Sequence, residues 1–497
     1  MAATAAGYSA FRQSFMLSGS DDSSVFGEWA ARKARYGVLW SYFEGKPYHE
    51  IQSHAQGLKQ DGGLYKAIRS IYNPAGRIGE FYATHLLGGP IKYNADGGLS
   101  DYGAMPIVTD NNALRVAMGD IARASNWQVN KRILALRGSV LGDAALKVVD
   151  EGDRVYIQTI NPAWLVDVDL DGRGYVRGYK IEYTRTDPEW DEHDAGLWDA
   201  ESPKSVTYTE TAEREDGTDE IVYTTYKNRV KYAWNDAQGA EWSEPYGFVP
   251  LVLLQHNNVG LQWGWSHFHK SLSKFDEAND QASKLDDQIR KSVDPIWLFS
   301  GVNPNDVSLT RDDVRQDMPG LYGPEGVTAQ PLIASVDIAG VTNNLQSILA
   351  EIENDYPETR LVRLVTSGDS SGEAIRQAQQ PVEAVVNELR SNYDSAVLSA
   401  FLMAVSIAGY RGLVDGFDLD SYHAGNMLAQ VGERPVFSQS DEDKLAREKS
   451  EAETAKAFMD IGYDPEFYLA DRGWSDARIA KLKASGTYRN ATFAQYP

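Results

Sequence analysis

A serine between two glycines is the clearest candidate for catalysis. Gly368, Ser370 and Gly372 match the G-x-S-x-G nucleophile elbow, which needs a strand before the turn and a helix after it. A helical pattern follows, but residues 360–365 make at best a weak strand, and His423 is the one histidine downstream that could serve as a partner. The pattern favours a flexible Gly/Ser loop, and a serine hydrolase using Ser370 stays open as an alternative function.

Three aspartates at alternate positions resemble the start of a calcium-binding loop. Asp167, Asp169 and Asp171 precede Gly172, as in an EF-hand, but the twelfth position is Gly178 where a bidentate Glu belongs. The flanking residues have the alternating pattern of strands. The segment therefore predicts a β-turn between two strands.

Other motifs for cofactor or metal chemistry are missing from the sequence. There is no G-x-x-x-x-G-K-[ST] and no G-x-G-x-x-G, the glycine-rich patterns that bind nucleotide phosphates. His267 and His269 are two positions apart, which places them on different sides of a helix, and the chain has no cysteine. We therefore predict no cofactor, no metal and no enzymatic activity.

The charge balance limits how the protein can bind nucleic acid. Its 497 residues carry 48 Lys and Arg against 71 Asp and Glu, a formal net charge of −23. Such acidity argues against holding DNA through the release of counterions, but not against touching it briefly. The sequence shows neither a secretory leader nor a run of about 18 apolar residues, so we expect no membrane partner.

The hydrophobic patterns predict an α+β chain of several parts. Residues 1–143 look helical, and residues 144–263 consist of short β-rich runs separated by turns. Two apolar stripes with helical spacing then flank a small β-and-turn unit. A long helix follows from Glu373 to about Tyr410 with Pro381 inside it, and then a strand from Met427 to Val431 and two polar helices.

Basic residues on these helices have two interpretations. Lys284, Arg290 and Lys291 lie mostly off the first apolar stripe, and Arg360 and Arg363 lead into the Ser/Gly loop. They make either an ordinary solvated face or sparse, sequence-independent contacts to phosphate.

Several short motifs occur in an order that belongs to one family. They are Arg35-Tyr36 with Tyr42-Phe43-Glu44-Gly45, Ile160-Asn161-Pro162, Phe248 to Val252 with His256-Asn257-Asn258, Ser371 to Ile375, and Arg472-Gly473-Trp474. Over about residues 25–484 this order resembles the portal protein of tailed double-stranded DNA bacteriophages, of the siphovirus type. Pro381 and the short, non-acidic tail depart from the family pattern.

The resemblance implies a portal fold with named parts. They are an N-terminal wing (1–263, helical to 143 and β-rich from 144), a first stem helix (264–293), a clip (294–332), a second stem helix (333–359), a tunnel loop (360–372), a long wing helix with a returning strand (373–431) and a helical crown (432–497).

The resemblance also implies function and partners. The protein would form a ring, normally of twelve subunits, at one vertex of the virion capsid, after assembly in the host cytoplasm. Double-stranded DNA would pass through it in packaging and ejection. It would meet the terminase large subunit, then the head–tail adaptor, and also the major capsid and scaffolding proteins. Another minor capsid or adaptor protein is a further alternative.

Three sets of residues follow from the resemblance. The DNA channel would be lined by Arg360, Arg363, Thr366, Ser367, Gly368, Asp369, Ser370, Ser371, Gly372, Lys284, Arg290 and Lys291. Neighbouring stems would pack through Phe268, Leu272, Phe275, Leu285, Ile289, Leu345, Ile348 and Ile352. The clip would dock its partners through Trp297, Phe299, Arg311, Arg315 and Tyr322.

Overall fold

The computed structural model describes residues 25–47, 72–186, 205–215, 217–234, 239–293, 296–300, 328–332, 338–361, 372–437 and 453. The predicted N-terminal helical region contains α1 (Val25–Phe43), α2 (Ala75–His85), α3 (Asn112–Ala124) and α4 (Trp127–Leu141), with the short strand β1 (Ile107–Val108) before α3. The side chain of Asn111 caps α3 by accepting a hydrogen bond from the backbone N–H of Leu114. Asn126, at φ 45°, separates α3 from α4.

The predicted β-rich region is confirmed. Its strands in the described residues are β2 (Asp143–Asp150), β3 (Val155–Ile160), β4 (Leu165–Leu170), β5 (Val176–Thr186), β6 (Ser205–Arg214), β7 (Ile221–Lys227), β8 (Val230–Lys231), β9 (Glu241–Glu244) and β10 (Leu251–Gln255). One antiparallel sheet has the order β10-β2-β3, and a second has the order β4-β5-β6-β7-β8 with β9 also paired to β7.

The segment that resembles a calcium-binding loop forms the turn between β4 and β5. Asp171 accepts hydrogen bonds from the backbone N–H groups of Arg173 and Tyr175 at 2.8 and 2.9 Å, and Gly174 has φ 91°. The aspartate is used to close a tight turn between antiparallel strands, as predicted.

The long helix forms the centre of the core. It is α7 (Gly372–Tyr410), which packs on β2 and β10 and contains Pro381 within its length. The predicted helix is confirmed, and one face of it is buried through a stripe of apolar side chains: Val382, Val386, Leu389, Tyr393, Val397, Ala400, Phe401, Ala404, Val405 and Ala408. By length and composition the part from Ala374 to Tyr410 could cross a membrane, but 61% of its most apolar window is buried inside the protein. We interpret it as a core helix.

A buried ion pair ties α1 to the three-stranded sheet. The carboxylate of Asp143 accepts hydrogen bonds from the hydroxyl of Tyr36 at 2.6 Å, from the guanidinium of Arg35 at 3.2 Å and from the backbone N–H of Gly264 at 2.6 Å. These contacts offset the cost of burying the carboxylate, because a buried charge is costly unless it is paired and hydrogen-bonded. The contact fixes the chain at 264 where it leaves the sheets.

Between the sheets and α7, the described residues contain two further long helices and a short pair of strands. Helices α5 (Leu272–Val293) and α6 (Ile338–Asp355) flank the antiparallel pair of β11 (Ile296–Ser300) and β12 (Thr328–Leu332). The predicted strand at 427–431 is confirmed in part as β13 (Gln430–Val431), which pairs with β1. The predicted crown lies almost wholly outside the described residues, which end at 437 apart from 453.

Two boundaries differ from the sequence prediction. The helix predicted to begin at 264 begins at Leu272 after a 3₁₀ turn, because the backbone N–H groups of Trp265 and His267 donate to carbonyls of Asn257 and Ser139. The predicted loop at 411–425 contains a short helix, α8 (Leu419–His423). A capping box of Asp418 and Ser421 starts it.

The fold class is α+β, as predicted. The sheets are antiparallel, and helices cover the three-stranded sheet.

Candidate functional site: the helix pair and its junction with the sheets

Helices α5 and α6 pack side by side in opposite directions. Asn344 on α6 donates to the side chain of Gln281 on α5 at 2.7 Å, while Ser271 just before α5 donates to Asp355 at the end of α6. The later position on α5 contacts the earlier position on α6, so the two helices are antiparallel. The pair forms a hairpin whose far end leads into β11 and β12.

The base of this hairpin is anchored to the N-terminal region. The hydroxyl of Tyr42 on α1 donates to Asp276 at 2.5 Å, and the backbone N–H of Tyr72 donates to the buried amide oxygen of Asn279, also at 2.5 Å. Phe275 lies 6.5 Å from the ring of Tyr42 and 6.3 Å from that of Tyr356. The first two turns of α5 therefore belong to the body of the protein.

The eight residues predicted to pack between neighbouring stems differ in how far they are buried. Phe268, Leu272, Phe275 and Ile352 are already buried within this one chain. Leu285, Leu345 and Ile348 are half-buried, and Ile289 keeps 43% of its surface exposed. The first four residues therefore form intrachain core at the base of the hairpin, and the apolar surface left uncovered lies farther along the helices.

The basic residues of the hairpin are less available than the sequence suggests. Lys284 is exposed and pairs with Asp280 one turn earlier at 2.5 Å. Lys274 pairs with Asp355 at 2.8 Å, and Arg360 lies exposed on a helical turn at 357–361. Arg290 and Lys291 lie on the last turn of α5. Local carboxylates therefore compensate part of the positive charge predicted for a channel.

Much of the predicted loop and clip falls outside the described residues. Gly372 is the first residue of α7, and Trp297 and Phe299 lie on β11 opposite Pro331 and Ala329. The following predicted site residues lie outside the described part of the chain: Arg311, Arg315, Tyr322, Arg363, Thr366, Ser367, Gly368, Asp369, Ser370 and Ser371. Their roles stay predictions.

A buried polar chain, which sequence reasoning missed, lies beside the hairpin base. The hydroxyl of Tyr393 lies 2.9 Å from Nδ1 of His256, and Nε2 of His256 lies 3.1 Å from Nδ1 of His267. Nε2 of His267 lies 3.8 Å from a carboxylate oxygen of Glu358. We call these four residues the His–Glu chain. No local motif could have revealed it, because its members are spread over 138 positions.

The environment of the His–Glu chain disfavours charge. Burial lowers the pKa of His256 to about 3 and lowers the pKa of His267 well below its ordinary value. Burial also raises the pKa of Glu358 to about 7, since removal from water penalises the ionised carboxylate. Among the described residues, neither carboxylate oxygen of Glu358 has a hydrogen-bond partner.

The candidates for metal and hydrolase chemistry gain no support from the described residues. These contain no group of three or more His, Asp or Glu side chains arranged to hold a metal ion. His423, the proposed partner of Ser370, lies 3.1 Å from the carbonyl of Tyr246 through Nε2 and packs against Phe248 and Tyr422. Its contacts account for a structural role at α8.

No protein-family model matches the chain, and no curated protein matches it. Two solved structures are similar to it over 79% of this chain and 90% of theirs, each with a TM-score of 0.40. One is the neck of a native gene transfer agent particle computed with C12 symmetry, at 10% identity. The other is the virion of a native gene transfer agent particle, at 12% identity.

Proposed function

We propose that this chain is a portal subunit, a ring-forming connector at one capsid vertex through which double-stranded DNA passes. The observation that carries the proposal is the change in burial along the α5–α6 hairpin. Phe275 at its base is buried within the chain, whereas Ile289 near its far end is exposed and Leu345 and Ile348 are half-covered. A neighbouring hairpin would remove this remaining apolar area from water.

The charge of the hairpin suits a wall that DNA slides past. In sequence, α5 and α6 together hold eight acidic and four basic residues, so the pair is net negative. A ring of twelve chains would also multiply the −23 of each chain twelvefold. Phosphates are repelled by such a wall, which prevents DNA from being held while it moves.

The remaining parts take their roles from the portal layout. Residues 1–263 would be the wing, α5 and α6 the stem, 294–332 the clip that meets terminase and then the head–tail adaptor, and 360–372 the loop that faces DNA. The capsid and scaffolding proteins would surround the ring. The subunit itself would hydrolyse nothing.

Electron microscopy and mass photometry of the purified protein test this proposal. The wild-type chain should form rings of about a dozen subunits with a central hole. Ile289→Asp should lower the ring fraction, because the interface would have to bury a charge. The matched control is Leu428→Asp, since Leu428 is 79% exposed and lies away from the hairpin in sequence.

Leu428→Asp should assemble like the wild type. A chain that stays monomeric at every concentration and salt condition would contradict the proposal. Equal loss of rings in both variants would contradict the assignment of the interface to the hairpin.

A further inference from the structure

We propose that the His–Glu chain is a proton relay whose protonation sets how firmly the base of the α5–α6 hairpin is held on the sheets. This relay lies within a single chain and does not depend on ring assembly.

The relay joins four separate segments at one buried point. Tyr393 belongs to α7, His256 follows β10, His267 precedes α5, and Glu358 lies on the helical turn that follows α6. Tyr393 and His256 are fully buried and Glu358 is 2% exposed. A change at Glu358 therefore acts on the end of α6 and on the helical turn at 357–361.

The Tyr393–His256 and His256–His267 distances admit two opposite proton orders, and the 3.8 Å between His267 and Glu358 must shorten for a proton to pass between them. In the first, the Tyr393 hydroxyl donates to Nδ1 of His256, the Nε2–H of His256 donates to Nδ1 of His267, and the Nε2–H of His267 points to ionised Glu358. In the second, Glu358 carries the proton and every donor along the chain becomes an acceptor. Each imidazole stays neutral in both orders, which agrees with the lowered pKa of both histidines.

The ionised order is the weaker one. The 3.8 Å between Nε2 of His267 and Glu358 is longer than a hydrogen bond, so the charge lacks a close partner. Glu358 also borders a cavity of about 630 Å³, which gives an ionised carboxylate a route to water. Loss of the proton therefore favours opening of the turn toward that cavity.

The other titratable groups around the cavity do not supply the missing charge. They are Tyr82 on α2, His269 and Lys270 before α5, Asp355 and Tyr356 at the end of α6, and Glu388 on α7. Burial raises the pKa of both tyrosines, so they stay neutral, and it lowers the pKa of His269 to about 4. Asp355 is held by Lys274, and Lys270 is exposed.

The direction of the pH effect follows from linkage. The pKa of Glu358 is about 7 in the folded chain against an ordinary 4.5, so the folded state keeps a proton that the unfolded state has lost. The stability from this proton is complete below pH 4.5 and is lost as the pH rises through 7. The two histidines act in the opposite direction below their ordinary 6.5, so the effect of Glu358 is read against a variant that lacks only its charge.

Hydrogen–deuterium exchange of the full chain at about pH 6 and about pH 8.5, corrected for intrinsic exchange rates, tests the relay. The ratio of wild-type to Glu358→Gln protection of the backbone at 352–361 and 256–272 should fall about tenfold between the two values, since each pKa unit is worth a factor of ten. Glu358→Gln keeps the shape without the charge, so it retains the opposite effect of the histidines and lacks that of Glu358. Glu388→Gln is the matched control, because Glu388 borders the same cavity but is exposed, and it should behave like the wild type.

Two outcomes would overturn the proposal. One is a ratio of wild-type to Glu358→Gln protection that does not change between the two pH values. The other is Glu388→Gln with the pH dependence of Glu358→Gln. His267→Gln then separates a relay from an isolated acid: the midpoint of the pH transition should shift, and an unchanged midpoint would mean that the histidines take no part.

Discussion

The hydroxyl of Ser271 donates a hydrogen bond of 2.6 Å to the carboxylate of Asp355, and the ammonium of Lys274 lies 2.8 Å from the same oxygen. The start of α5 is thereby fixed to the end of α6, although the two positions are 84 residues apart. The second contact between the helices, from Asn344 to Gln281, has the same register.

Asp355→Asn should weaken this closure. Burial raises the pKa of Asp355, but the hydrogen bonds from Lys274 and Ser271 outweigh it and leave the pKa below its ordinary 3.8. The contribution is therefore present above pH 3.8 and is lost as the pH falls through the folded value. Because Asp355 is partly exposed, we expect the variant to lower the free energy of unfolding by about 1 kcal/mol at neutral pH.

Urea denaturation measures this change. Glu351→Gln is the control, since Glu351 lies farther from the same ammonium, at 3.6 Å, and is 68% exposed. Its effect should stay below about 0.5 kcal/mol. Equal effects of the two substitutions would contradict a specific closure at Asp355.

Phe275→Ala should destabilise the chain itself. The ring is fully buried against α1 and the end of α6, and large-to-small changes of this kind cost about 3–5 kcal/mol. Ile289→Ala should change the stability of the monomer by less than about 0.5 kcal/mol, because its side chain is exposed there. Denaturation at concentrations where the chain is monomeric compares the free energies of unfolding of the two variants. Similar losses of stability would contradict the difference in burial between the two residues.

Asp143→Asn should be among the most damaging conservative changes. The substitution leaves Arg35 buried without its carboxylate, and breaking a buried ion pair costs about 3–5 kcal/mol. Asp120→Asn is the control, because Asp120 makes an exposed pair with Arg123 one turn away on α3. Thermal unfolding should separate the two variants clearly, and a mild Asp143→Asn would show that Tyr36 and Gly264 satisfy the site without charge.

Gly368→Pro tests the proposed loop apart from assembly. Proline removes most of the backbone freedom that glycine provides, so a loop that must move with DNA should fail while rings still form. The fraction of DNA-filled particles is the measurement, and Gly368→Ala, which restricts the backbone less, should package more DNA than the proline variant. Wild-type packaging by Gly368→Pro would remove this loop from the mechanism.

Regular patterns made much of the fold predictable from sequence. The stripe from Val382 to Ala408 repeats every three or four residues, and such a repeat has one physical solution, a helix with one buried face. Likewise, an Asp-Gly turn between alternating strands predicts the β4–β5 connection, because few other residues allow so tight a turn. These are local properties, and neighbouring residues are sufficient to determine them.

The start of α5 could not be predicted in this way. Residues 264–271 continue the apolar spacing of a helix, yet their backbone N–H groups donate hydrogen bonds to groups outside the segment, on Asp143, Asn257 and Ser139. These hydrogen bonds keep the segment out of the helix, and in two of the three cases the partner lies more than a hundred positions away. Sequence periodicity contains no information about such partners.

The sequence by itself determined the acidic charge, the absence of cysteine, the α+β class and the order of parts that resembles a portal. Only the tertiary structure decided which members of the apolar stripes remain exposed, since Phe275 and Ile289 have the same hydrophobic character and differ in what covers them. It also brought His256, His267 and Glu358 together. Their chemistry comes from burial and proximity, and both are set by how distant segments pack.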